Sequence, residues 1–291
     1  MNIQGFFRFN RRTLLGAAMA LCLAPAVQAQ NFPSKGLRIV VPFAAGGVGD
    51  LTARIVAEGL STRLAQPVVI ENRPGAGGVV AAETVARAEP DGHTLFLMSN
   101  GTAVTAGLFK SLPFDTVKDF APISTLGYFD IAVVAHPEAP FKTFAELLAY
   151  AKANPGKLNI GSINIGSTQN LAAELFKSSA GIDGQIVPFN GTPNLIGALR
   201  GKQVDVGVEI LGPVLTQIRG GALKALAVTG EKRSTVLPDV PTAKEAGVAG
   251  FVASSWNALA APAKTPRPVI DRLQREIAAT VADAEVQKKL Q

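Results

Sequence analysis

Val40-Val41-Pro42-Phe43-Ala44-Ala45-Gly46-Gly47-Val48-Gly49-Asp50 is where the chain turns from a strand into a helix through a run of glycines, and its reading decides the fold. The apolar run Leu37 to Phe43 leads into it, and Leu51, Ile55, Val56, Leu60 and Leu64 follow at helical spacing. The unit is strand, glycine loop, helix. The first N–H groups of a helix have no intrahelical acceptor, and the aligned peptide dipoles place roughly half a positive charge there, so the natural guest of such a loop is an anion. Glycines let that guest approach the backbone closely.

Other readings of the loop compete. A phosphate-binding P-loop needs Lys and then Ser or Thr after its last glycine, where this chain has Asp50 and Leu51, so that reading fails. Gly47-Val48-Gly49 is a G-x-G after a strand, with Glu71 about 20 residues on, but Thr52 replaces the third glycine of a dinucleotide fingerprint. A tight turn that binds nothing is the plain alternative.

Residues 1–29 read as an export signal. Arg8, Arg11 and Arg12 lead, Leu14 to Val27 is an apolar stretch shorter than the ~20 residues that cross a bilayer, and Val27-Gln28-Ala29 offers small residues for cleavage. Export by the general or the twin-arginine route both fit Asn10-Arg11-Arg12-Thr13. The expected location is the periplasm. The single cysteine, Cys22, lies in the signal, so the mature chain has no disulfide and no thiolate metal site. Loss of three arginines lowers the net charge from +6 to +3, too mild to argue for nucleic acid, and no basic cluster interleaved with aromatics appears.

Beyond the first unit the chain alternates strand and helix in a parallel-sheet pattern. Pro67 to Asn72 and Thr94 to Ser99 read as strands around a second glycine loop, Arg73 to Gly78, and a helix to about Ala88; Leu108 to Pro122 reads as a connection and Ile131 to Ala135 as a strand. The grammar restarts with a helix at 143–153, a strand at 158–160, the loop Gly161 to Gly166 and a helix capped by Ser167 or Thr168. Strands at 186–189, 204–208 and 223–228 alternate with helices at 193–200 and 213–218. A short helix is expected around Ala243 to Ala246, a strand at 256–260, and a last helix beginning at Pro266. Two glycine-loop units far apart in sequence suggest two α/β domains, 30–130 with 254–291 and 131–253, facing each other over a cleft. Two crossovers, near Asp130 to Ala135 and near Ser254 to Asn257, would form the hinge.

The chain resembles the Bug receptors, the extracytoplasmic solute-binding proteins of tripartite tricarboxylate transporters. The matching stretches are Ile39 to Gly47 with Asp50, Val69 to Gly78, Ala88 to His93, Leu112-Pro113-Phe114-Asp115, Asp119-Phe120, Val240-Pro241-Thr242 and Ala261-Pro262 with Thr265-Pro266. The resemblance implies a two-domain type II periplasmic-binding-protein fold with a hinge of two crossover strands, no enzymatic activity and no cofactor. It further implies a small carboxylate ligand, and the membrane components of the transporter as partners to a monomeric receptor. Carried over by position, the ligand site is Ala44, Gly46, Gly47 and Asp50 on one side and Ser162, Gly166, Ser167 and Thr168 on the other, with Asn190, Gly191 and Asp205 as further candidates. Glu209 stands where an Asp is frequent, Gly101 to Leu108 departs from the usual pattern, and the chain stops at Gln291, earlier than its relatives; an additional terminal segment packing on the first domain is expected.

Alternative functions are a ligand sensor for a signalling partner without transport and an exported dinucleotide-binding oxidoreductase. A hydrolase lacks a placed base: His93 sits in a D-G-H turn and His136 before a proline. Two histidines and no mature cysteine also leave a transition-metal site poorly supplied. Asp50 reads equally as a helix cap or a ligand contact, Asp205 as a solvated strand edge, and Trp256 as hinge or core packing.

Overall fold

Leu37, Ile39, Val40 and Val41 offer water no polar face, so the strand they form must be covered on both sides. In the computed structural model, which describes residues 32–290, all four are buried in β1 (Leu37–Val41). The expected export signal, 1–29, lies outside the described residues. After β1 come α1 (Val48–Leu64), β2 (Val68–Asn72), α2 (Val79–Ala86), β3 (Thr94–Ser99) and α3 (Asn100–Leu108). Next are β4 (Phe120–Ala135), α4 (Phe144–Ala153), β5 (Leu158–Ile163), α5 (Thr168–Ala180), β6 (Gly184–Phe189) and α6 (Thr192–Arg200). The chain closes with β7 (Val206–Ile210), α7 (Leu211–Arg219), β8 (Lys224–Val228), β9 (Ser254–Pro262), α8 (Arg267–Val281) and α9 (Ala284–Leu290).

The sheet runs β2-β1-β3-β9-β4-β7-β5-β6, with β8 paired to β4. Both expected parallel sets are present, β2-β1-β3 and β7-β5-β6. The strands between them correct the all-parallel expectation: β9 is antiparallel to β3 and β4, and β4 is antiparallel to β7 and β8. β4 is also far longer than the segment expected from sequence. Phe120 to Asp130 pairs with β9, and Ile131 to Ala135 pairs with β7 and β8. Pro122 hid the first part, and the register shifts between Pro122 and Ser124 and between Thr125 and Gly127 are what let a proline-containing segment keep its pairing. Because β4 and β9 lie mid-sheet, the chain from Lys35 onward is one compact unit.

Three further differences have local causes. α3 has no apolar period, but Thr102 Oγ1 accepts the Ser99 N–H (3.3 Å), and Asn100 ties the helix start to β9 through Ser254 O (3.2 Å) and the Trp256 N–H (3.0 Å). The segment 243–246 forms turns rather than a helix, because Val248 N–H already bonds Ala243 O and Gly247 takes φ +101°. Pro266 is the N-cap of α8 rather than its first helical residue. The cores follow the layers: Phe144, Phe176 and Phe251 stack on one face of the β7-β5-β6 set at 5.5 and 5.1 Å, while Phe96, Phe120 and Phe114 gather at 5.3 and 5.7 Å beside β1 and β3. Trp256 packs on the second of these clusters.

Candidate functional site

Several strand ends meet around one cavity, lined by Phe43, Ala44, Gly47, Val48 and Gly49 of the glycine loop and by Ser99, Ile163, Thr168, Gln169, Gly191, Thr192, Ile210, Ser255 and Asn257. Its volume is about 10 Å³, which admits about one water molecule. Five helices of eight or more residues start on it: α1 at Gly47, α3 at Ser99, α5 at Thr168, α6 at Gly191 and α7 at Ile210. Among the described residues no charged side chain lines it. The site is thus electropositive through backbone dipoles alone.

The glycine loop is held from behind. Asp50, nearly fully buried, accepts hydrogen bonds from Gly46 N–H (2.9 Å), Arg54 Nε (3.0 Å) and Asn72 Nδ2 (2.9 Å), and Asn72 also donates to Phe43 O (3.0 Å). Burial pushes the Asp50 carboxyl up, but hydrogen bonds from Arg54, Gly46 and Asn72 and the Arg54 charge outweigh it, leaving it below the usual range. Asp50 therefore braces the loop and keeps the Gly46 N–H occupied, so neither group faces a guest. Replacing Asp50 with Ala should cost about 1–3 kcal/mol of stability by stranding these donors. Since the folded-state carboxyl titrates below its ordinary 3.8, the gap between parent and variant should be full at neutral pH and should close as pH falls through that lower value. Thermal melts across acidic pH check this; a constant gap would mean Asp50 acts through packing alone.

The opposite wall is built in the same manner. Ser167 caps α5, its hydroxyl accepting from Asn170 N–H (3.1 Å) and donating to Ile163 O (2.8 Å). Gly166 N–H donates to Asn170 Oδ1 (3.2 Å), and Asn170 Nδ2 donates to Ser162 Oγ (3.2 Å). Ser162, Gly166 and Ser167 thus shape the wall, whereas Thr168 lines the cavity, its Oγ1 3.5 Å from Ser255 Oγ. Gly191 takes φ +92°, and a Cβ there would lie 3.0 Å from the Ala44 Cβ, so the loops of Ala44 and Gly191 touch across the opening.

Two candidates lie elsewhere. Asp205 accepts from Asn159 N–H (2.7 Å) at the start of β5, about 13 Å of strand from the cavity-lining Ile163 at its end. Asn190 lines a separate groove with Gly77, Phe109 and Ile165. Sequence reasoning missed Ser99, Gln169, Thr192, Ser255 and Asn257. Asn257 is buried with its Nδ2 donor unpartnered at the cavity. Its signal was a lone amide within the apolar run Trp256 to Ala261. Neither His93 nor His136 lines the cavity; His136 Nδ1 accepts the Glu138 N–H in a turn. Among the described residues no group of three or more His, Cys, Asp or Glu side chains could hold a metal ion, and no helix is long and apolar enough to cross a membrane.

Residues 52–291 match the model of the tripartite tricarboxylate transporter family receptor. The chain belongs to this receptor family. Similar solved structures include the periplasmic binding protein BugD, 35% identical with a TM-score of 0.85 over 89% of this chain and 87% of that one. MatC from Rhodopseudomonas palustris, solved with bound malate, is 35% identical with a TM-score of 0.83 over 89% and 88%. A second R. palustris protein, solved with adipate, is 32% identical with a TM-score of 0.85 over 89% and 87%. The receptor accordingly has the type II periplasmic-binding-protein α/β fold, works in the periplasm, and binds solute rather than converting it.

Proposed function

We propose that the receptor captures a small organic carboxylate in the cavity where its five helix N-termini converge, and presents it to the membrane components of a tripartite tricarboxylate transporter. The convergence carries the reading, because an anion is the guest such a cavity stabilises without any cationic side chain. Each terminus contributes roughly 0.3–2 kcal/mol, so five supply roughly 1.5–10 kcal/mol, and contacts to the rest of the ligand make up the remainder of the ~8 kcal/mol of a micromolar complex. The malate and adipate of its relatives are of this class. The contacts assigned to the ligand are the backbone of Ala44 and Gly47, Thr168, Gly191 and Thr192, with Ser255 and Asn257 from the central strand.

A cavity the size of one water cannot admit malate without the walls parting. The two lobes of the reading are 30–130 with 254–291 and 131–253, and the change of β4 partners between Asp130 and Ile131 supports a hinge there, with the start of β9 as the second crossover. Calorimetry of the purified protein against malate, adipate and other mono-, di- and tricarboxylates tests the function. A single saturable site is expected, with the carboxylate recovered unchanged. Absence of binding to every acid tried, or turnover at enzyme-like rates, would overturn the reading.

A further inference from the structure

Glu209 is a fully buried acid in the otherwise apolar strand β7. Its Oε1 accepts from Gln169 Nε2 (2.6 Å) and from Ile210 N–H (2.7 Å), and both donors belong to residues that line the cavity. Its Oε2 is buried without a hydrogen-bond partner, as is the hydroxyl of Thr192, which is close enough to act on the Glu209 carboxyl. Thr192 is itself buried and lines the cavity, and a Cβ added to Gly47 would lie 3.3 Å from its Oγ1. The Thr192 hydroxyl therefore stands between Glu209 and the glycine loop.

The protonation state follows from the surroundings. A carboxylate this deep needs a counter-charge, and none is supplied. The ionisable side chains on the elements around β7 are Tyr128 and Asp130 of β4, Glu174 and Lys177 of α5, Arg200 of α6 and Arg219 of α7. Asp50 on α1, across the cavity, is paired with Arg54. None of these acts on Glu209: burial pushes its carboxyl up, partly opposed by Gln169, the Ile210 N–H and Thr192. The neutral acid also satisfies the geometry, with Oε1 as a carbonyl taking two donors and Oε2 carrying a proton that needs an acceptor.

We infer that Glu209 is a positioning residue that, as a neutral carboxylic acid, donates to Thr192 Oγ1 and so fixes the Thr192 hydroxyl as a donor to the ligand carboxylate. An ionised Glu209 would instead accept from Thr192, turning the hydroxyl's lone pairs toward the anion and adding a like charge behind it. This inference rests on the carboxylate reading of the cavity, but its first test needs no ligand.

A neutral Glu209 binds its proton more tightly in the folded than in the unfolded chain, where its ordinary value is 4.5. Its contribution to stability is therefore complete below that value and declines as pH rises through the folded-state value. The Glu209→Gln variant has no such decline, since its amide keeps both the acceptor and the donor. The melting temperature of E209Q should exceed that of the parent by a margin that grows as pH rises above the unfolded-chain value of 4.5. A margin that does not change with pH overturns the inference. Should E209Q fail to fold, the infrared carbonyl band of a protonated carboxylic acid at neutral pH, present or absent in the parent, decides the same question. With malate and adipate as probes, E209Q should bind within about threefold of the parent, while Thr192→Val should lose at least about tenfold and Thr192→Ser should not. A T192V variant that binds like the parent refutes the donor role. Failure of every carboxylate to bind the parent would remove the functional reading, whereas the melts would still report the state of Glu209.

Discussion

Replacing Gly47 with Val is expected to weaken carboxylate binding by up to about two orders of magnitude while leaving the fold intact. Gly47 lies in extended backbone, φ −86° and ψ 169°, which any residue adopts, so valine meets no conformational penalty there. Within this loop Gly46, at φ +84°, is the glycine whose backbone conformation demands it. The effect of the valine comes from space. Its Cβ would lie 3.3 Å from Thr192 Oγ1 and 3.9 Å from Ala44 O, and its two methyl groups would fill a cavity of about 10 Å³. Methyl groups forced into such a space cost up to about 3 kcal/mol, a loss of up to roughly 150-fold in affinity. Circular dichroism and melting establish that the variant is folded, and calorimetry measures the loss. A folded variant that binds like its parent would remove this loop from the site.

The contrast between Gly46 and Gly47 shows how far the sequence could be read. The strand, glycine loop and helix at 37–64 were legible because burial on both faces of β1 and a helical stripe on α1 leave a local record. The two parallel sets were legible for the same reason. What joins them was not. β4 gains its first eleven residues by pairing with β9, more than 120 positions away, and α3 gains its start from Asn100 contacts with that same strand. Such pairings leave no periodic trace. The candidate site divides likewise. Backbone positions such as Gly47, Thr168 and Gly191 could be placed from loop grammar and resemblance, whereas Thr192, Gln169 and Asn257 matter through neighbours distant in sequence. Glu209 stood out in the sequence only as a residue where an Asp is frequent, one position past the expected strand 204–208; its burial and its partners Gln169 and Ile210 give it a role.

Replacing Gly101 with Ala should weaken binding by holding the two walls apart. Gly101 is buried in the first turn of α3, and a Cβ there would lie 2.7 Å from the backbone oxygen of Gly166, across the cavity from its own side. Real Cβ atoms do not approach a backbone oxygen so closely, and Gly166 has little freedom to retreat: it takes φ +83°, its N–H is held by Asn170, and Ser167 beside it caps α5. On the hinge proposed above, rotation about β4 and β9 would relieve the strain and leave each wall as it is. Alanine is also the better helix former by about 0.5–1 kcal/mol, so the folded chain should be no less stable. An overpacking cost of about 1–3 kcal/mol confined to the closed state would lower affinity roughly 5–150-fold through the smaller closed population. Small-angle scattering should then show the parent contracting on addition of malate or adipate, and the variant contracting only at higher concentrations. If the variant binds as tightly as the parent and the two scatter alike throughout, the approach of α3 to the Gly166 loop is not part of the bound state, and the proposed closure about β4 and β9 would have to be abandoned.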